Sequence, residues 1–204
     1  RPPAKNDSAT QATPPAVVLA TTKPRTPSAI SASPLTVARQ ATDPAIQVAY
    51  LENSDIKLDG HVDEPVWATL PVHDNMRVID PDSMATPEYA THTRLFFTNR
   101  GLYVSAVMTQ PAETLVARLS SRDQFINRDA YGITVDTSGE GLYGYWFKVN
   151  LGGSLMDGRV LPERTFSEQW DGPWQGESQR TESGWSVEMF LPWSMMALPQ
   201  GTTD

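Results

Sequence analysis

The sequence predicts an all-β chain, an antiparallel β-sandwich of the jelly-roll type. Three observations predict it. Residues 130–136 and 142–151 alternate apolar and polar side chains around Thr137-Ser-Gly-Glu-Gly141. Alternation of this kind, bounded by Gly, Ser and Asp, marks a pair of hydrogen-bonded strands. Two further pairs follow the same rule, 91–99 with 101–109 and 175–182 with 185–191. Only two short segments read as helical, after Asp63 and after Pro192. Many short strands with almost no helix indicate two packed sheets.

Residues 46–51 are apolar enough for a short first strand, and Ile56 to His61 reads as a strand entering an Asp-Gly turn. Asp63 is an expected N-cap, with Pro65 in the first turn of a short helix whose inner side carries Val66, Trp67 and Leu70. Residues 74–90 read as loop, broken by Asp80-Pro-Asp82 and Thr86-Pro87. The hairpin around Asn99-Arg-Gly101 carries apolar residues on both faces, as a central pair does. Leu115 to Ser121 is expected to be a further strand and 159–169 an exposed loop. Trp170-Asp-Gly-Pro-Trp174 is a tight turn. Nothing after Met196 reads as a strand, so the sandwich is expected to lack its last C-terminal strand or strands.

Composition divides the chain. Residues 1–46 hold 8 of the 17 prolines and no Gly, Phe, Tyr or Trp, whereas all 18 aromatic residues lie from Tyr50 onward. A segment this poor in large apolar side chains cannot offset its ordering entropy, so 1–46 is expected to be a disordered linker and 47–204 the domain. The charge is +3 up to Tyr50 and −11 from Leu51. So acidic a domain excludes a phosphate backbone as partner, and no nucleic acid is expected. No apolar run reaches membrane-spanning length. The absence of cysteine excludes disulfides and thiolate chemistry. A chain opening at Arg1 with a Pro/Ala/Thr tether is the composition expected of an exported bacterial protein, periplasmic or outer-membrane associated.

The second strand of the 128–158 hairpin carries the candidate site. Tyr143, Tyr145, Phe147 and Val149 share one face, and Trp146, Lys148 and Asn150 the other. A flat aromatic beside a cation and an amide suits a ring with an apolar face and hydroxyls, or else is a sheet face covered by other parts of the chain. Trp170 and Trp174 are either an exposed stacking platform or a cap on the core. Asp55, Asp59, Asp63, Glu64, Asp136 and Glu140 are oxygen donors suited to a structural Ca²⁺, or turn and cap residues. His61, His73 and His92 lack metal spacing, and neither Met108 nor Met156 has a defined partner for haem ligation, so no further cofactor is expected. Arg122, Asp123, Arg128 and Asp129 are expected to form ion pairs, not a catalytic pair. No nucleophile or phosphate-loop signature is present, so no enzymatic activity is expected.

Several motifs occur in order: LDGHVDEPVW from Leu58, GLYVSAVM from Gly101, ARLSSRD from Ala117, Asp129 to Asp136, FKVNLGGSLMDG from Phe147, WDGPW from Trp170 and GWSVEMFLPW from Gly184. Together they resemble the family-9 carbohydrate-binding modules, a sandwich related to the DOMON fold. The variant they resemble most stands ahead of an outer-membrane β-barrel in exported bacterial proteins. The resemblance implies non-catalytic glycan binding on a concave sheet face, a role in polysaccharide catabolism and a further C-terminal domain. The alternative is a structural or interaction module attached to such a barrel, without sugar affinity. The resemblance also implies a sugar-contacting role for Lys148. Where sugar-binding members have a tryptophan and a carboxylate, this chain has Phe125-Ile126-Asn127 and Gly132.

Overall fold

The computed structural model describes residues 46, 48–53, 55–119, 121–122 and 128–199. The expected linker, residues 1–46, lies outside them apart from Ile46. Nine strands form: β1 (Ala49–Tyr50), β2 (Thr91–Phe97), β3 (Gly101–Thr109), β4 (Ala130–Val135), β5 (Gly144–Asn150), β6 (Leu155–Leu161), β7 (Thr165–Ser167), β8 (Gln175–Thr181) and β9 (Gly184–Pro192). They make a five-stranded sheet, β1-β2-β3-β9-β8, and a four-stranded sheet, β4-β5-β6-β7. All pairs are antiparallel except β1 with β2. The predicted sandwich is therefore the observed class.

Period-2 alternation sends Leu95, Leu102, Val104, Ala106, Val187 and Met189 from the first sheet against Tyr131, Phe147 and Val149 from the second. The outer face of the five-stranded sheet is buried as well. Phe96, Tyr103 and Phe190 lie under Trp67 and Leu70, brought by helix α1 (Pro65–Ala68) and the turn after it. Phe96 and Tyr103 stack at 4.7 Å. Buried on both faces, β3 needs the two-sided apolar pattern its sequence carries.

Glu188 is the charged anchor of this covering segment. Its fully buried carboxylate accepts hydrogen bonds from Trp67 Nε1 (3.0 Å), Gly60 N (3.1 Å) and Asp59 N (3.2 Å). Burial, together with the neighbouring Glu64, pushes its carboxyl up to about 7. This explains why Ile56 to His61 is not the expected strand. The N–H groups of Asp59 and Gly60 are taken by a side chain, while Ile56 and Leu58 pack on the aromatic cluster. Nor is Asp63 the N-cap. Glu64 takes that position, and its carboxylate accepts from Lys57 N and Trp67 Nε1.

Two further expectations are corrected. The described part of Leu115 to Ser121 forms no strand, because the N–H of Val116 goes to the Asp129 carboxylate at 2.6 Å. Residues 159–169 are not a loop: β6 runs to Leu161 and β7 pairs back on it. The pattern hides β6 because its central inward residue is Asp157, opposite Phe147. That carboxylate is fully buried and is satisfied by Arg122 and by Gly172 N–H at 2.7 Å. The same contacts hold the 170–174 turn. Of the expected ion-pair set, Arg122 pairs with Asp157 and Asp171, which lie outside that set, Asp129 accepts hydrogen bonds from Val116 N–H and Gln110, and Asp123 lies outside the described residues.

Candidate functional site

The outer face of the four-stranded sheet is the candidate site. Register places Gly132 opposite Lys148, Thr134 opposite Trp146, Trp146 opposite Gly158, and Val160 opposite Phe166. Cross-strand partners share a face, so all of these project to the same side. Two of them are glycines, and the large neighbours lie down over the gaps. A Cβ on Gly132 would stand 3.4 Å from Lys148 Cε, and one on Gly158 only 2.7 Å from Trp146 Nε1.

The result is a cleft of about 600 Å³ lined by Ile79, Gly132, Thr134, Trp146, Lys148 and Phe166. Ile79 comes from the segment before β2, which is tied to the sheet by paired hydrogen bonds between His73 and Thr93. Thr93 Oγ1 in turn meets Tyr131 Oη of β4 at 3.1 Å, linking the two sheets. The aromatic roles differ from the sequence reading. Trp146 is only 4% exposed and donates its Nε1 proton to the carbonyl of Ser167 at 3.3 Å. Phe166 stands edge-on to it and is 61% exposed. The open ring face of the cleft therefore belongs to Phe166, on a strand the sequence reading took for loop.

A family-9 carbohydrate-binding module from Caldicellulosiruptor kristjanssonii in complex with cellotriose matches with a TM-score of 0.51, at 17% identity, over 76% of this chain and 69% of that one. The module from the same organism in complex with glucose gives 0.50 at 16%, over 77% and 73%. A candidate carbohydrate-binding protein from Bacteroides uniformis gives 0.56 at 13%, over 72% of each. The chain has the fold of the family-9 carbohydrate-binding modules. No family model matches the sequence, and no curated protein matches it. Identities of 13–17% carry the fold of these modules and not the residues of their sites.

Within this fold, the five site residues read from the sequence separate. Trp146 and Lys148 come together in the cleft. Asn150 does not line it. It is 1% exposed, accepts the Ser154 N–H at 3.1 Å through Oδ1, and closes the β5–β6 turn, with its Nδ2 buried and unpartnered among the described residues. Trp174 is 5% exposed and packs on Phe147 at 5.3 Å in the inter-sheet core. Trp170 packs on Tyr145 at 4.9 Å, on the same inner side. These two rings cap the core and offer no platform beside Lys148, because the Asp157 contacts pull their turn inward.

The calcium candidates are likewise dispersed. Among the described residues, no three His, Asp or Glu groups are placed to hold a metal ion. Asp59 pairs with Lys57 at 2.9 Å. Asp136 accepts from Ser138 Oγ and from the N–H groups of Ser138, Gly139 and Gly141, which hold its carboxyl below the usual carboxylate range. Among the described residues no helix is long and apolar enough to cross a membrane.

Proposed function

We propose that the domain is a non-catalytic glycan-binding module whose ligand lies across β4, β5 and β7 in the Phe166–Lys148 cleft. The observation that carries the reading is the open face of Phe166 beside Lys148 and Thr134, in a fold shared with modules solved in complex with glucose and cellotriose. An exposed ring suits the C–H face of a sugar, while Lys148 and the Thr134 hydroxyl are placed for its oxygens. Among the described residues no carboxylate lines the cleft to act as a catalytic acid or base.

Isothermal titration of the full chain against soluble oligosaccharides, neutral and charged, tests the proposal. The expected result is binding of at least one of them, weakened about tenfold by Phe166→Ala, as loss of one stacked ring implies. Absence of binding across the panel overturns it. The interaction-module reading would then gain from Ile79 and Met84, which are 76% and 60% exposed on the segment bordering the cleft.

A further inference from the structure

A second cleft, of about 330 Å³, opens at the end of β5 and β6, lined by Thr137, Tyr143, Tyr145, Arg159, Leu161 and Ala197 among others. Tyr145 and Arg159 are cross-strand partners, so they share the face opposite to Trp146 and Lys148. This cleft is thus separate from the one described above. We propose that it is a second binding site, for a carboxylate-bearing sugar residue such as a uronate.

The assignment begins with Arg159. Its guanidinium sits 5.7 Å above the Tyr145 ring, and it makes no ion pair among the described residues. Stacking uses the flat face of a guanidinium and leaves the in-plane N–H donors, arranged as a fork that matches a carboxylate. Among the described residues, no Asp or Glu lines the cleft. Asp136, in the adjoining turn, is occupied by the Ser138, Gly139 and Gly141 groups that it holds. In a chain of net charge −8, a cation without a carboxylate beside it is the place where an anionic group can settle.

The rest of the cleft suits a sugar ring. Tyr143 is 57% exposed and supplies an open aromatic face. The walls are fixed before any ligand arrives. Ala197 donates its N–H to Tyr145 Oη at 2.9 Å, and the Thr137 hydroxyl donates to the Ala197 carbonyl at 2.6 Å. A volume near 330 Å³ lies at the small end of ligand sites, fitting one ring and not a long chain. The sugar part of the assignment rests on the glycan-binding reading; the carboxylate part does not.

Nuclear magnetic resonance of the full chain, observing arginine side-chain Nε–H signals, tests the site with galacturonate, galactose and acetate. Galacturonate is expected to shift the Arg159 signal and galactose to leave it unchanged. By titration calorimetry, Arg159→Gln is expected to weaken galacturonate about tenfold or more, and Arg159→Lys to restore little, because an ammonium lacks the fork. Phe166→Ala should leave galacturonate binding unchanged while weakening ligands of the first cleft, so the two assignments fail separately. The proposal is overturned if Arg159→Gln binds galacturonate like wild type, or if galactose shifts Arg159 equally. It is also overturned if acetate binds Arg159 as tightly as galacturonate does. Should Arg159→Gln not fold, the wild-type shifts decide alone.

Discussion

Phe166 stands edge-on to Trp146, with ring centroids 6.4 Å apart and planes at 63°. One ring is buried and the other exposed, so they divide two tasks. Trp146→Ala should cost about 3–5 kcal/mol of stability, the usual loss for a large buried aromatic. Phe166→Ala should cost less than about 1 kcal/mol, yet weaken glycan binding about tenfold. Urea denaturation and calorimetry on both variants separate the effects. Equal losses of stability would contradict the division.

Gly158 is the seat of the Trp146 indole. A Cβ there would collide with the Ser167 carbonyl and approach Trp146 Nε1 to 2.7 Å. Gly158→Ala should therefore destabilise by about 1–3 kcal/mol or more and detach β7 from β6. Glycan binding should fall with it, because β7 carries Phe166. Amide exchange at Thr165–Ser167, compared with wild type, reads the detachment directly.

The raised carboxyl of Glu188 makes stability depend on pH. Its folded value of about 7 lies above its ordinary 4.5, so between the two the folded state holds a proton that the unfolded chain releases. This contribution is complete below about pH 4.5 and lost as pH rises through about 7. Glu188→Gln should flatten that part of the profile, by on the order of 1–3 kcal/mol. Asp136 works with the opposite sign, since its lowered carboxyl loses its contribution as pH falls. Thermal melts from pH 4 to pH 9 on wild type and Glu188→Gln check the slope, which should differ only below about pH 8.

The fully buried Asp157 pairs with the partly exposed Arg122 under the 170–174 turn. Arg122→Ala removes the Arg122 hydrogen bonds to the fully buried Asp157 carboxylate while the Gly172 N–H bond stays, which should cost about 1.5–3 kcal/mol. Trp170 and Trp174 should then gain solvent contact, seen as a red shift of tryptophan emission. An unchanged spectrum together with an unchanged melting point would show that the turn is held otherwise.

Much of the fold is legible in the chain because it is local. The alternation over residues 130–136 and 142–151 identifies β4 and β5, and it assigns Tyr145, Phe147 and Val149 to the core, since a strand turns each side chain over by its own geometry. The two-sided apolar pattern marks β3 as central for the same reason. The ordered motifs lead from there to the family-9 fold that the solved structures match.

The site is less legible. Placing Trp146 and Lys148 on one face follows from spacing, but whether a ring on that face is open depends on what lies over it. Trp146 is covered because Gly158 lets it lie down and the Ser167 carbonyl accepts a hydrogen bond from its Nε1–H. Phe166 is open because β7 is the edge strand of its sheet among the described residues. Asp157 breaks the apolar pattern of β6 and is satisfied by Arg122, 35 residues earlier. The N–H groups of Asp59 and Gly60 find Glu188 about 128 residues later and so form a covering segment in place of a strand. Backbone period and side-chain type are properties of neighbouring residues, so the chain alone decided the fold class and the strands and faces of its regularly alternating hairpins, but not β6 and β7. Burial and hydrogen-bond partners are properties of contacts distant in sequence, and only the packed sheets decided which aromatic meets a ligand.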